Sequence, residues 1–286
     1  MKNLLLLTLI NLSLITSIEA KEVSKNEPIP ITVTPQESAK IINISGKQRM
    51  LTQKMTKEAL FVAIGIDKDN NIKNLKETMK NFENGLDILL HGDQNLTISK
   101  TDDKEIIEQL TKVSALWTLF KLELTKVLEN RADAKSFENI AKDNLLLLKS
   151  MDDAVDMFTI KSNFYQKNHK LADQINLAGR QRMLTQKMTK ELLLVAYDIS
   201  PEKNRKNTQK SGELFEVTLK NLIDNTSDEK ITKQLYKVAE MWAKYRTIII
   251  TVNTSKNSLN RLDKLNMPLL KEMDSAVKMY ENLAKK

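Results

Sequence analysis

Apolar residues recur every three or four positions along nearly the whole chain after residue 35, and no stretch alternates with the two-residue period of a strand. The pattern predicts helices at about Gln36–Ile66, Asn70–Leu90, Asp103–Asn130 and Lys135–Lys167. A second set follows at about Leu171–Ile199, Glu202–Asn225, Asp228–Thr251 and Leu259–Lys285. His91 to Lys100, with Gly92, Asn95 and Thr97, reads as a loop, and its counterpart from Asn225 to Asp228 is short. Ser200-Pro201-Glu202 reads as a helix start with serine as cap. Pro268 stands where the first set has Leu146, and should kink or begin the last helix. Amphipathic helices with short connections make antiparallel four-helix bundles. The fold class is all-α, with two such bundles in tandem.

The tandem reading rests on an internal repeat. QRMLTQKMTKE occurs at Gln48–Glu58 and again, unchanged, at Gln181–Glu191, which is duplication and not chance. Phe82, Leu86 and Leu89 match Phe215, Leu219 and Leu222 at the same offset. Trp117 matches Trp242 at a smaller one, as the shorter loop requires. Met151-Asp152 and Ala154-Val155 match Met273-Asp274 and Ala276-Val277. Residues 36–167 and 168–286 are the two expected bundles. Ahead of them, residues 1–20 have the charged start, apolar run and small-residue end of a secretory signal peptide, and residues 21–35, with three prolines, read as a mobile leader.

Export changes how the formal charge of +8 is understood. The lysines are dispersed and read as solvated helix faces, so nucleic acid is not an expected partner. The chain has no cysteine and only His91 and His169 as imidazoles, so no metal site and no cofactor are expected. No nucleophile–base constellation appears, and the chain is read as not an enzyme. Trp117 and Trp242 read as core packing. Asp152 and Asp274 read as surface partners for lysines.

The repeated helix has two non-solvent faces. At 100° per residue, Ile44, Gln48, Leu51, Met55 and Val62 share one face, which suits the helix's own bundle. The other collects Ile42, Gly46, Arg49, Met50, Gln53 and Lys57, matched by Ile175, Gly179, Arg182, Met183, Gln186 and Lys190. Glycine inside a helix costs about 1 kcal/mol relative to alanine, and its usual return is close approach of a helix or ligand. If two such helices pair, two guanidinium groups face each other and repel. A small planar oxyanion between them reverses the sign, because each fork donates paired hydrogen bonds. The candidate ligand-binding set is Gly46, Arg49, Met50 and Gln53 with Gly179, Arg182, Met183 and Gln186. Lys54, Lys57, Lys187 and Lys190 would add positive potential nearby. The plainer alternative has both arginines exposed on an ordinary helix.

INLAGRQRMLTQKM (Ile175–Met188) and its first-copy match at Ile42–Met55 resemble the signature of the PilJ-type domain, the N-terminal sensor domain of type IV pilus chemotaxis transducers. They resemble more loosely the P-box of nitrate/nitrite sensor kinases. The resemblance implies a periplasmic four-helix bundle that binds nitrate, or nitrite more weakly, between two first helices. It implies that Arg49 and Arg182 touch the anion and that Gly46 and Gly179 permit approach. Gln48, Gln53, Gln181 and Gln186 depart from the sensor kinases. The absence of a membrane span or signalling module implies relay to a membrane-bound sensor or chemoreceptor. The rival reading is a structural or adaptor protein of the envelope or pilus that binds no small ligand.

Two arrangements of the copies follow from the residues. Between Lys135 and Ser200 the only helix breaker is Gly179, so the fourth helix can run straight into the fifth as a rod. The arginines would then lie far apart, each site would need a second chain, and the protein would be a homodimer. Alternatively, the polar stretch Ser162–His169 bends, and the arginines pair inside one chain. The rod is the arrangement expected.

Overall fold

The computed structural model describes residues 33–161 and 163–284, without the side chains of residues 163–167. The expected signal peptide and most of the expected leader lie outside the described residues. The described chain forms eight helices, α1 (Pro35–Ile64), α2 (Lys68–His91), α3 (Lys104–Leu128), α4 (Ala134–Ile160), α5 (Asn163–Ala196), α6 (Pro201–Asn225), α7 (Glu229–Ile250) and α8 (Lys256–Leu283). The fold is all-α, as the periodicity requires. Each helix starts and stops for local reasons. Thr34 caps α1, its Oγ1 accepting from Glu37 N at 3.1 Å, and Pro35 opens the first turn. Asp103, Asp133 and Asp228 cap α3, α4 and α7 through their carboxylates. Ser200 precedes α6 in a left-handed conformation with φ 44° and makes no side-chain capping bond, so Pro201 supplies the start that both residues were expected to share. Helix α8 runs through Pro268 and begins twelve residues before it, at Lys256.

Helices α1–α4 pack as one four-helix bundle and α5–α8 as a second. Phe82, Leu86 and Leu89 are buried in the first, and Phe215, Leu219 and Leu222 at the matching places in the second. Trp117 and Trp242 are buried as expected and stack on Phe82 and Phe215, with ring centroids 4.8 and 4.9 Å apart. The loop after α2 closes through an isolated bridge between Asp93 and Ile98. Gly92 is obligatory there: its φ is +78°, and a β-carbon would lie 2.6 Å from Ile98 O.

The rod is not formed. Helix α4 ends at Ile160, where Lys161 caps it, and α5 departs from helical geometry at Asn168 (φ −147°, ψ 58°). Beyond that break α5 lies along α1, and α1 also touches α8 while α4 touches α5. The physical reason is the second apolar face of α1 and α5. Ile42, Ile175 and Ala178 on these helices are all but inaccessible to solvent, burial that a rod would forgo. Both first helices of the two copies therefore meet within one chain.

Candidate ligand-binding site

The contact between α1 and α5 is built in matched layers, each contributed once by each copy. At one end Ile42 and Ile175 seal it. Next come Asn43 and Asn176, then Gly46 and Gly179, then the arginines, glutamines and lysines at successive turns.

Arg49 and Arg182 are 0% and 1% exposed, among the largest side chains to be fully enclosed. Arg49 Nη1 donates to Asp152 Oδ1 at 2.6 Å, and its Nη2 donates across the interface to Asn176 Oδ1 at 2.7 Å. Arg182 repeats the pattern: Nη1 donates to Asp274 Oδ1 at 2.7 Å and Nη2 to Asn43 Oδ1 at 2.8 Å. Each guanidinium is thus held by a carboxylate of its own copy and an amide of the other. A β-carbon built on Gly46 would lie 3.5 Å from Arg49 Nη2 and 3.8 Å from Arg182 Nη2. One on Gly179 would lie 3.6 Å from each. Both guanidinium groups therefore occupy the space that the two glycines leave. The glycines lie where α1 and α5 pack, as the sequence suggested, and the atoms that face them are the arginine heads.

The electrostatics differ from a bare pair of cations. Burial disfavours the charged form of both arginines, and the neighbouring aspartates oppose it. Burial also pushes the Asp274 carboxyl up, but Arg182 and Lys278 outweigh it and hold the group below its ordinary value. The Arg–Asp pairs offset the mutual repulsion of the cations without any guest. Asp152 and Asp274, 43% and 28% exposed, are thus partners of arginines and not, as expected, chiefly of lysines.

Four polar atoms of this layer and the next have no hydrogen-bond partner among the described residues: Arg49 Nε, Arg182 Nε, Gln53 Oε1 and Gln186 Oε1. All four belong to fully enclosed side chains. A buried unpaired donor or acceptor costs about 1–3 kcal/mol. The four fall in two adjacent layers as two matched pairs, and Gln48 Oε1 and Gln181 Oε1 form a third such pair on the other face of the same helices. Each glutamine uses its Nε2 to donate to the preceding threonine, Thr52 or Thr185, at 3.0 Å.

One turn further, Lys57 and Lys190 are buried, and each donates a hydrogen bond to an amide oxygen. Lys57 Nζ donates to Asn266 Oδ1 at 2.8 Å and Lys190 Nζ to Asn144 Oδ1 at 3.1 Å, each reaching into the opposite copy. Asn144 Nδ2 donates to Thr52 O and Asn266 Nδ2 to Thr185 O. Burial lowers both ammonium groups to about 8. Lys54 and Lys187 instead pair with Glu58 and Glu191 on their own helices.

The structure thus brings Gly46, Arg49, Gln53, Gly179, Arg182 and Gln186 into one interface. Met50 is buried and Met183 partly buried against the core, and they contribute packing. Asn43, Asn176, Asn144 and Asn266 were not singled out by the sequence reading. Their signal was available: Asn43 and Asn176 keep the offset of the repeated segment, and Asn144 and Asn266 keep that of the aspartates. No helix among the described residues is long and apolar enough to cross a membrane.

Comparison with known proteins bears on what this interface serves. The model of the PilJ family, described as the type IV pili methyl-accepting chemotaxis transducer N-terminus, matches twice, over residues 33–142 and 165–266. The methyl-accepting chemotaxis protein McpN of Pseudomonas aeruginosa is 28% identical over 131 residues, which is 45% of this chain and 24% of that protein. The match therefore spans under a quarter of the length of that relative.

Proposed function

Since the chain belongs to the PilJ family, we propose that it is a periplasmic sensor that binds one small planar anion, nitrate first and nitrite second, between its two copies, and relays binding to a membrane receptor or kinase. The single observation that carries the reading is the pair of enclosed, unpartnered Nε donors on Arg49 and Arg182, two guanidinium groups whose heads meet beside Gly46 and Gly179. A planar monoanion accepts from both donors at once. The glutamine layer fits the same guest. Turned over, each amide would present Nε2 to the anion and Oε1 to its threonine, whose hydroxyl would then leave the carbonyl of Arg49 or Arg182 and donate to the glutamine instead. A closed site favours a weakly hydrated monoanion, because removing sulfate from water costs far more.

Both members of the arginine pair come from one chain, so the proposed site needs no second subunit. This replaces the homodimer that the rod implied. Binding would change how α1 and α5 sit against each other, and that change is the signal.

Calorimetry of the purified chain with nitrate, nitrite, chloride and sulfate tests the reading. Heat is expected with nitrate, less with nitrite, and none with sulfate. Equal silence for all four would favour an envelope scaffold. Gly46→Ala gives a sharper check. Its methyl group finds ordinary contact distances, 3.5 and 3.8 Å from the arginines, so the protein should fold and gain about 0.5–1 kcal/mol in stability. The same methyl limits how the two guanidinium heads can shift to admit the anion, and nitrate affinity should fall roughly tenfold, on the order of 1.4 kcal/mol. Thermal melts and titrations on one sample read both effects, and unchanged affinity would place the anion elsewhere.

A further inference from the structure

The two halves of the arginine layer are matched in sequence but not in support. Glu281 stands in the last turn of α8, and its Oε2 accepts from Asn43 Nδ2. Asn43 Oδ1 accepts from Arg182 Nη2 at 2.8 Å. On its other side Arg182 holds Asp274, which Lys278 also binds at 2.9 Å. A continuous chain of charge-assisted hydrogen bonds, Glu281–Asn43–Arg182–Asp274–Lys278, fixes this half. The negative charge of Glu281 also reaches Arg182 and favours its protonated form.

The half around Arg49 is built differently. The offset that aligns Asp152 with Asp274 puts Thr159 where the second copy has Glu281. Thr159 is uncharged and shorter, and its hydroxyl donates to Val155 O at 2.8 Å. Both aspartates meet a second cation, but that of Asp152 is more distant: Arg180 approaches it at 3.8 Å and pairs more closely with Asp156, at 3.5 Å, whereas Lys278 reaches Asp274 at 2.9 Å. Arg180 is a second cation that opposes the charge on Arg49, as its counterpart Lys47 does beside Arg182, so the two halves differ in Glu281 and not in this cation. Asp152 is also the more exposed of the two aspartates.

We infer that Glu281 is a positioning residue: it fixes Asn43 and through it Arg182, making the second copy's arginine the rigid anchor of the anion site and Arg49 the half that adjusts. The functional consequence rests on the anion-binding reading above, whereas the positioning itself does not. The duplication has thus been divided into a fixed half and a responsive half. Movement on binding should run through Arg49 and Asp152, and so into α1 and α4.

Two substitutions at this partly exposed position separate the hydrogen bond from the charge. Glu281→Ala removes the acceptor, and Glu281→Gln keeps an acceptor without the charge. In the anion-free protein, nuclear magnetic resonance of the arginine side-chain N–H groups reads the positioning directly. Exchange at Arg182 should quicken about tenfold in the alanine variant, the loss of roughly one hydrogen bond. It should stay within about twofold of native in the glutamine variant, and Arg49 should not change in either. Nitrate affinity should fall about five- to tenfold in Glu281→Ala and return in Glu281→Gln, with no further loss when Glu281→Ala is added to Asn43→Ala. Equal exchange at Arg182 in native and alanine proteins, or a glutamine variant as loose as alanine, would overturn the inference. If native protein binds no nitrate, the sensor reading fails while the exchange data still decide the positioning.

Discussion

Replacing Lys57 and Lys190 by methionine should remove most of a rise in thermal stability that the native protein shows between about pH 8 and pH 10. Both ammonium groups are enclosed, each donates to an asparagine oxygen, and burial holds both at about 8 against 10.5 in the unfolded chain. Between those values the unfolded chain binds protons that the folded protein has released, so stability increases with pH. The gain disappears as pH falls from about 10 to 8, and below about 8 the penalty is constant. The span corresponds to at most about 3 kcal/mol per lysine. The charges facing Lys57 are Glu58, Lys54 and Asp263, and those facing Lys190 are Glu191 and Lys187. Burial raises the phenol of Tyr245 to about 12, and Tyr197 and Tyr280 are raised as well, so they subtract stability only above about pH 10. The window below 10 therefore reports buried lysines, chiefly Lys57 and Lys190, with Lys47, also lowered by burial, adding to the same rise. At pH 7 the methionine variants should also melt higher by a few degrees. The gain is the removed desolvation, reduced by about 1–3 kcal/mol for each asparagine oxygen left unpaired. Calorimetric melts from pH 7 to 10 measure both. A native protein with no pH dependence there would show that water reaches the lysines.

The second large effect concerns the arginines. Arg49→Ala should weaken nitrate binding by about 100-fold, and Arg182→Ala at least as much, because each loses a charged hydrogen bond of roughly 1.5–3 kcal/mol and a buried positive charge. Arg49→Lys keeps the charge but not the planar fork, and should recover only a small part of the loss. The double alanine variant should show no detectable heat. Stability should suffer less. In Arg49→Ala the Asn176 oxygen loses its donor, at about 1–3 kcal/mol, while Asp152 remains partly solvated and close to Arg180. Titrations of folded variants separate the two consequences, and lysine binding as tightly as arginine would refute fork recognition.

Much of the architecture is legible in the residues. The eleven-residue identity at Gln48–Glu58 and Gln181–Glu191 exposes the duplication, and the period of apolar positions places every helix. The second face of that helix is equally readable, because glycine and arginine share it with Ile42 and Ile175. The fold-back is not. Residues 160–169 hold no proline or glycine, so local propensity is silent, and the choice is made by burial of the second face against its copy. The partners of the arginines were hidden for a related reason. Asp152 lies over a hundred positions from Arg49, and a repeated carboxylate on a helix has many possible cations. Asn43 and Asn176 serve the opposite copy, so their role appears only when the copies are side by side. Lys57 and Lys190 sit on the expected face, but their complete burial follows from α8 and α4 closing over them, which periodicity does not report.

The most direct test counts ligands per chain. Nitrate titrated calorimetrically into protein whose mass in solution is established by ultracentrifugation should saturate at one anion per chain, with the chain monomeric before and after. One anion per two chains, with affinity lost on dilution to monomers, would contradict a site completed within a single chain.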